Sequence, residues 1–137
     1  MERIRGDRAK NIEQAITMYE QALTVRTKET FPVDWATTHT NLAVAYSYRI
    51  QGDGAENIER AIDGYKQALT VRTREAFPYD WAITQNNLVT AYIKRIKGDR
   101  QANIEQAIVL SKQVLSSWTR STLPVEWATA LNNLANA

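Results

Sequence analysis

The sequence predicts an all-α solenoid, built from antiparallel helix pairs stacked side by side. Three observations carry this. First, the chain repeats itself. Arg3-Ile4 recurs as Arg49-Ile50 and Arg95-Ile96, Gly6-Asp7 as Gly52-Asp53 and Gly98-Asp99, and Pro32 as Pro78 and Pro124, always 46 residues apart and without insertion or deletion. A period between 20 and 50 residues marks a stacked array. Second, each copy holds two stretches with the i, i+3, i+4, i+7 apolar spacing of a helix buried on one face. Third, no stretch alternates apolar and polar residues as a half-buried strand does. The copies are 3–48, 49–94 and 95–137, and together they read as one repeat domain spanning 1–137.

One helix of each copy is expected to begin near Asn11, Asn57 and Asn103, since asparagine side chains cap orphan backbone N–H groups. Glu13, Glu59 and Glu105 then fall in the electropositive first turn. Ile12, Ala15, Ile16, Tyr19, Ala22 and Leu23 form its apolar stripe, matched by Ile58, Ala61, Ile62, Tyr65, Ala68 and Leu69. The pattern runs to about Arg26, and Phe31-Pro32 ends it. The other helix begins at Pro32, Pro78 and Pro124, because proline suits a first helical turn and Asp34, Asp80 and Glu126 favour the dipole there. Its expected buried stripe is Trp35, His39, Leu42 and Tyr46, then Trp81, Gln85, Leu88 and Tyr92. Gly52 and Gly98 suit left-handed caps at its C-terminal end.

Composition narrows the function classes. The 137 residues carry a net charge of +2, 44% hydrophobic and 23% charged residues, and no cysteine. A weak net charge without basic runs disfavours nucleic acid. Lack of cysteine removes disulfides and thiolate chemistry and fits a reducing, cytoplasmic setting. No window approaches the ~20 apolar residues of a membrane-spanning helix, so no membrane partner is expected. His39 is the single histidine, and Gln85 and Leu131 replace it in the other copies, so a packed histidine is the better reading. With no metal-ligand cluster and no phosphate cradle, neither an enzyme nor a cofactor is expected.

Leu42-Ala43-x2-Tyr46 followed by Ala61-x3-Tyr65-x2-Ala68 resembles the tetratricopeptide (TPR) pattern. Asn86-Asn87-Leu88 and Asn132-Asn133-Leu134-Ala135 are similar to extended TPRs of kinesin light chains, and closer to TPR arrays of bacterial, especially cyanobacterial, proteins that carry a caspase-like domain. The period of 46 rather than 34 and the wider Trp-to-Leu spacing depart from the pattern. The resemblance implies a right-handed superhelix whose concave groove, lined by the first helix of each pair, binds a peptide or protein segment. It also implies a peptide-gripping role for Asn41, Asn87 and Asn133.

Helix geometry points to the same residues. Thr37, Asn41, Val44 and Tyr48 share one stripe, roughly 100° from Leu42. Ile83, Asn87, Thr90 and Lys94 follow in the second copy, and Thr129, Asn133 and Asn136 in the third. Constant carboxamides among varying neighbours suit a backbone grip with ligand-specific surroundings. The same asparagines could instead hydrogen-bond an adjacent helix and hold the stack. Trp35, Trp81 and Trp127 read as packing residues, and Arg49 and Arg95 as helix-end or ion-pair residues. Arg26 and Arg72 align across copies, while Arg120 is one step out of register. The chain opens in what reads as the tail of a helix, Met1–Arg5, and closes within another. That framing suggests an excerpt from a longer array, with Trp127, Leu131 and Leu134 exposed and copies associating end to end as a homo-oligomer. A structural scaffold without a groove ligand is therefore the alternative function.

Overall fold

The computed structural model describes residues 2–117 and 124–136. These form six helices, and among them no strand: α1 (Glu2–Val25), α2 (Pro32–Ser47), α3 (Gly54–Leu69), α4 (Pro78–Lys94), α5 (Arg100–Ser117) and α6 (Pro124–Asn136). The fold is an all-α, TPR-like helical repeat. The chain forms two compact units, Met1–Val71 with α1 to α3 and Arg72–Ala137 with α4 to α6.

α2 and α4 start at proline, as their sequences require. Phe31 and Phe77 stand just before them and have no capping side chain. Their carbonyls accept from the Trp35 and Trp81 N–H groups at 2.8 Å, and Asp34 and Asp80 add charge to the first turn. α3 and α5 start earlier than Asn57 and Asn103. The caps are Asp53 and Asp99, whose carboxylates accept from Ala55 N at 3.1 Å and Ala102 N at 3.0 Å. Gly52 and Gly98 do adopt φ +80°, but each sits immediately before an N-cap aspartate rather than at the preceding helix end. There they turn the chain into the new helix.

Asn57 and Asn103 do different work. Both are buried inside the first turns. Their amides donate to Gln51 O at 2.9 Å and Lys97 O at 3.0 Å. Their Oδ1 atoms accept from Arg49 at 3.3 Å and Arg95 at 3.1 Å. Each asparagine thus pins the loop that precedes its own helix. Arg49 also forms a two-pronged ion pair with Glu13 of α1, at 2.6 and 3.1 Å, with both side chains about three-quarters buried (26% and 28% exposed). Such fork geometry is the strong form of a charged hydrogen bond. The first copy has no equivalent loop. α1 runs unbroken from Glu2 to Val25, through Gly6-Asp7, where two helical pieces were expected.

In unit 1, α2 packs against both α1 and α3. Ile16 of α1 is buried, as are Ile58, Ala61, Ile62, Tyr65 and Ala68 of α3. Fully burying such an Ile contributes about 1.5–3 kcal/mol. The buried face of α2 is Ala36, Thr38, Thr40, Ala43 and Tyr46, whereas Trp35, His39 and Leu42 are only half-buried. The expected stripe is therefore displaced, because small residues take the line where α3 approaches closely. The Tyr65 hydroxyl bonds to Ser47, and burial pushes its pKa up to about 12. Tyr46 Oη donates to Glu20 of α1 at 3.0 Å.

In unit 2, Gln85, Leu88 and Tyr92 of α4 are buried as expected. A core cluster joins Ala82, Val114 and Ala130 from the three helices, with Trp81 and Leu115 packed on it. Trp127 and Leu134 are half-buried and Leu131 is exposed. Arg120 lies outside the described residues.

Candidate functional site

A cavity of ≈ 530 Å³ opens between α1 and α2 in unit 1. Asn41, Val44, Ala45 and Tyr48 line it from α2, at the i, i+3, i+4, i+7 spacing of one helix face. Across from them α1 contributes Asp7, Arg8, Asn11, Ile12, Ala15 and Tyr19. The two faces meet because α1 and α2 run antiparallel, as the Glu13–Arg49 and Glu20–Tyr46 contacts show. Ile12, Ala15, Tyr19, Val44 and Ala45 are half-buried and form an apolar floor. Asp7, Arg8, Asn11, Asn41 and Tyr48 are exposed and form the rim. The Arg8 guanidinium lies over the Tyr48 ring, 6.0 Å from its centroid, at the outer reach of a cation–π contact.

Three of the sequence-predicted residues, Asn41, Val44 and Tyr48, meet at this cavity. Thr37 is half-buried on α2 and outside its lining. On α4, Ile83, Asn87 and Thr90 are half-buried and Lys94 is exposed. The Thr90 hydroxyl donates to Asn86 O at 3.2 Å, and the exposed Thr129 likewise donates to Val125 O at 2.9 Å. Asn133 differs from its counterparts. It is buried, and its amide donates to the Asn86 carbonyl of α4 at 3.4 Å. Its carboxamide holds α6 to α4.

Sequence reasoning missed Ala45 and the whole α1 wall. Ala45 was legible, because it lies one helical turn from Asn41. Ile12, Ala15 and Tyr19 were assigned to the buried stripe of α1, and they are half-buried and line the cavity instead.

A second crevice, of ≈ 410 Å³, has His39, Leu42 and Tyr46 of α2 on its floor. Its walls carry Glu20, Glu56, Glu59 and Asp63 beside Arg60. The His39 ring stands edge-on to Trp35, with centroids 4.5 Å apart. Burial lowers its pKa, and Asp63 partly opposes that shift. His39 is thus half-buried in a crevice rather than sealed in the core.

The described residues contain no group of three or more metal-ligating side chains, and no helix among them is long and apolar enough to cross a membrane. The tetratricopeptide repeat family model matches residues 35–71. That stretch covers α2 from Trp35, the pinned loop and all of α3, so the matched unit is one helix pair short of the first turn of α2. No curated protein and no solved structure matches the chain. Fold and match together show an all-α helical-repeat chain with one tetratricopeptide-type stretch, a kind of repeat that in general suggests protein–protein interaction.

Proposed function

We propose that the protein binds an extended peptide or protein segment along the α2 face that lines the α1–α2 cavity. The observation that carries this reading is the convergence of Asn41, Val44 and Tyr48 on one open cavity with an apolar floor and a polar rim. Asn41 makes no side-chain hydrogen bond among the described residues, so its carboxamide has both a donor and an acceptor to offer a peptide group. The residues beside the asparagines change from Val44 and Tyr48 to Thr90 and Lys94, which suits a constant backbone grip with varying side-chain subsites. The period of 46 and the Asn86-Asn87-Leu88 phrase support an extended variant of the repeat. Binding rather than catalysis is then the activity, and a chain without cysteine suits a reducing, cytoplasmic setting.

An array of immobilised twelve-residue peptides tests the proposal. Peptides selected by the wild-type chain should bind Asn41→Ala roughly three- to tenfold more weakly, the value of one or two neutral hydrogen bonds. Helicity by circular dichroism should stay unchanged. Equal binding by the variant removes Asn41 from the site.

A further inference from the structure

We infer that the crevice over His39 and Leu42 receives a basic side chain, arginine before lysine, from a segment of a partner protein. His39, Leu42 and Tyr46 lie on nearly the opposite side of α2 from Asn41, Val44 and Tyr48, because a two-residue step turns a helix by about 200°. This surface is therefore separate from the α1–α2 cavity and does not depend on the reading given to it.

The crevice is open because of which residue α3 carries. Gly64 belongs to its lining. One period later the same register holds Leu110, which is buried on α5. Gln85 and Leu88 stand at the registers of His39 and Leu42, and each is only 3% exposed. Gln85 Nε2 also donates to Gln113 of α5 at 2.7 Å. His39 and Leu42 are half-buried instead. A glycine where α5 has leucine thus leaves uncovered a floor whose counterpart in unit 2 is closed.

Charge selects the occupant. The walls set four carboxylates, Glu20 of α1 and Glu56, Glu59 and Asp63 of α3, against the single guanidinium of Arg60. An anion is repelled there, and a cation recovers from the carboxylates the hydration it gives up. Among the described residues no three acidic or histidine side chains converge as a metal ion requires. The negative charge is spread along the walls, which suits a long cationic side chain rather than a bare ion. Arg60 shows how a guanidinium lies here: over the Tyr46 ring, 5.5 Å from its centroid, and 4.0 Å from Glu56. One helical turn further along, a visiting arginine can repeat that arrangement, with its methylenes on Leu42 and its head beside His39 and Asp63. The crevice, at ≈ 410 Å³, has room for it. Arginine is favoured over lysine because its charge is delocalised, less tightly hydrated and forked to meet carboxylates.

Titration of the full chain with N-acetyl-argininamide, read by amide-resolved NMR, is the direct test. At millimolar concentration it should shift His39, Leu42 and Asp63, and the neutral isostere N-acetyl-citrullinamide should not. Glu20→Gln/Asp63→Asn removes one exposed charge from each of two walls and should weaken that binding roughly three- to tenfold. Glu29→Gln/Glu75→Gln removes as much exposed charge outside the crevice and should leave it unchanged. An array of immobilised twelve-residue peptides supplies the partner segment. Peptides captured by the unaltered chain but lost by Glu20→Gln/Asp63→Asn should carry an arginine, and citrulline at that position should abolish capture. No shift at His39, Leu42 and Asp63, equal shifts from the citrulline compound, an equal loss in the outside variant, or variant-sensitive peptides without arginine each overturn the assignment. Should the crevice variant lose helicity by circular dichroism, the arginine–citrulline comparison on the unaltered chain decides the matter.

Discussion

Gly64 lies in the middle of α3, where an alanine should be better. Its backbone is ordinary helix, and only Gly52 and Gly98 have positive φ among the described glycines. Replacing an interior helical glycine by alanine normally gains about 1 kcal/mol. Space decides otherwise. A Cβ built on Gly64 would sit 2.9 Å from Ala43 Cβ, 3.0 Å from the His39 carbonyl oxygen and 3.5 Å from Ala43 Cα. Carbon atoms prefer roughly 3.5–4.0 Å. The Ala43 methyl has no rotamer to escape into, and the His39 oxygen is helix backbone, so relief requires α3 to retreat from α2. Contacts on either side resist that retreat: Asn57 with Arg49 at one end, and the Tyr65 hydroxyl with Ser47. Overpacking of this kind costs about 1–3 kcal/mol. The net expectation for Gly64→Ala is a loss of about 1 kcal/mol and a fall of roughly 2–6 °C in the thermal midpoint followed by circular dichroism. Adding Ala43→Gly should recover part of the loss, with a coupling of about 1–2 kcal/mol in the double-mutant cycle. A midpoint that rises in Gly64→Ala, or the absence of coupling, refutes the close-approach argument.

Two further outcomes follow from buried polar groups. Ser111 Oγ is fully buried on α5 with no hydrogen-bond partner among the described residues, so Ser111→Ala should raise the urea midpoint by the equivalent of about 1 kcal/mol; a lower midpoint would show that the hydroxyl is satisfied. His39 has a folded pKa below its ordinary 6.5, so the folded state favours the neutral ring and the unfolded chain takes up the proton first on acidification. Its contribution is complete above pH 6.5 and is lost as the pH falls from there toward the folded pKa. His39→Gln, the residue of the second copy, should flatten stability across that window, and an unchanged pH profile would remove His39 as the cause.

Much of this molecule is local physics written three times. Pro32, Pro78 and Pro124 mark their helix starts without help from any neighbour, because a proline at the first helical position lacks only an N–H that has no partner there anyway. The 46-residue period and the helical apolar spacing likewise needed nothing beyond the order of residues. Asn41, Val44 and Tyr48 were legible as a group, since residues spaced this way share a face wherever the helix is placed.

Other features depended on which surface lies opposite. Asn11, Asn57 and Asn103 are each followed by Ile-Glu in sequence, yet Asn57 and Asn103 clamp loops while Asn11 borders a cavity. Asn41 and Asn133 share a register, yet one faces solvent and the other bonds α4. Gly64 aligns with Met18, which is two-thirds exposed, and with Leu110, which is buried, so nothing in its register announces a close approach. A carboxamide offers the same donor and acceptor in every copy, and a helix position offers the same direction. What each one meets is set by groups tens of residues away along the chain, and those meet only when the helices pack.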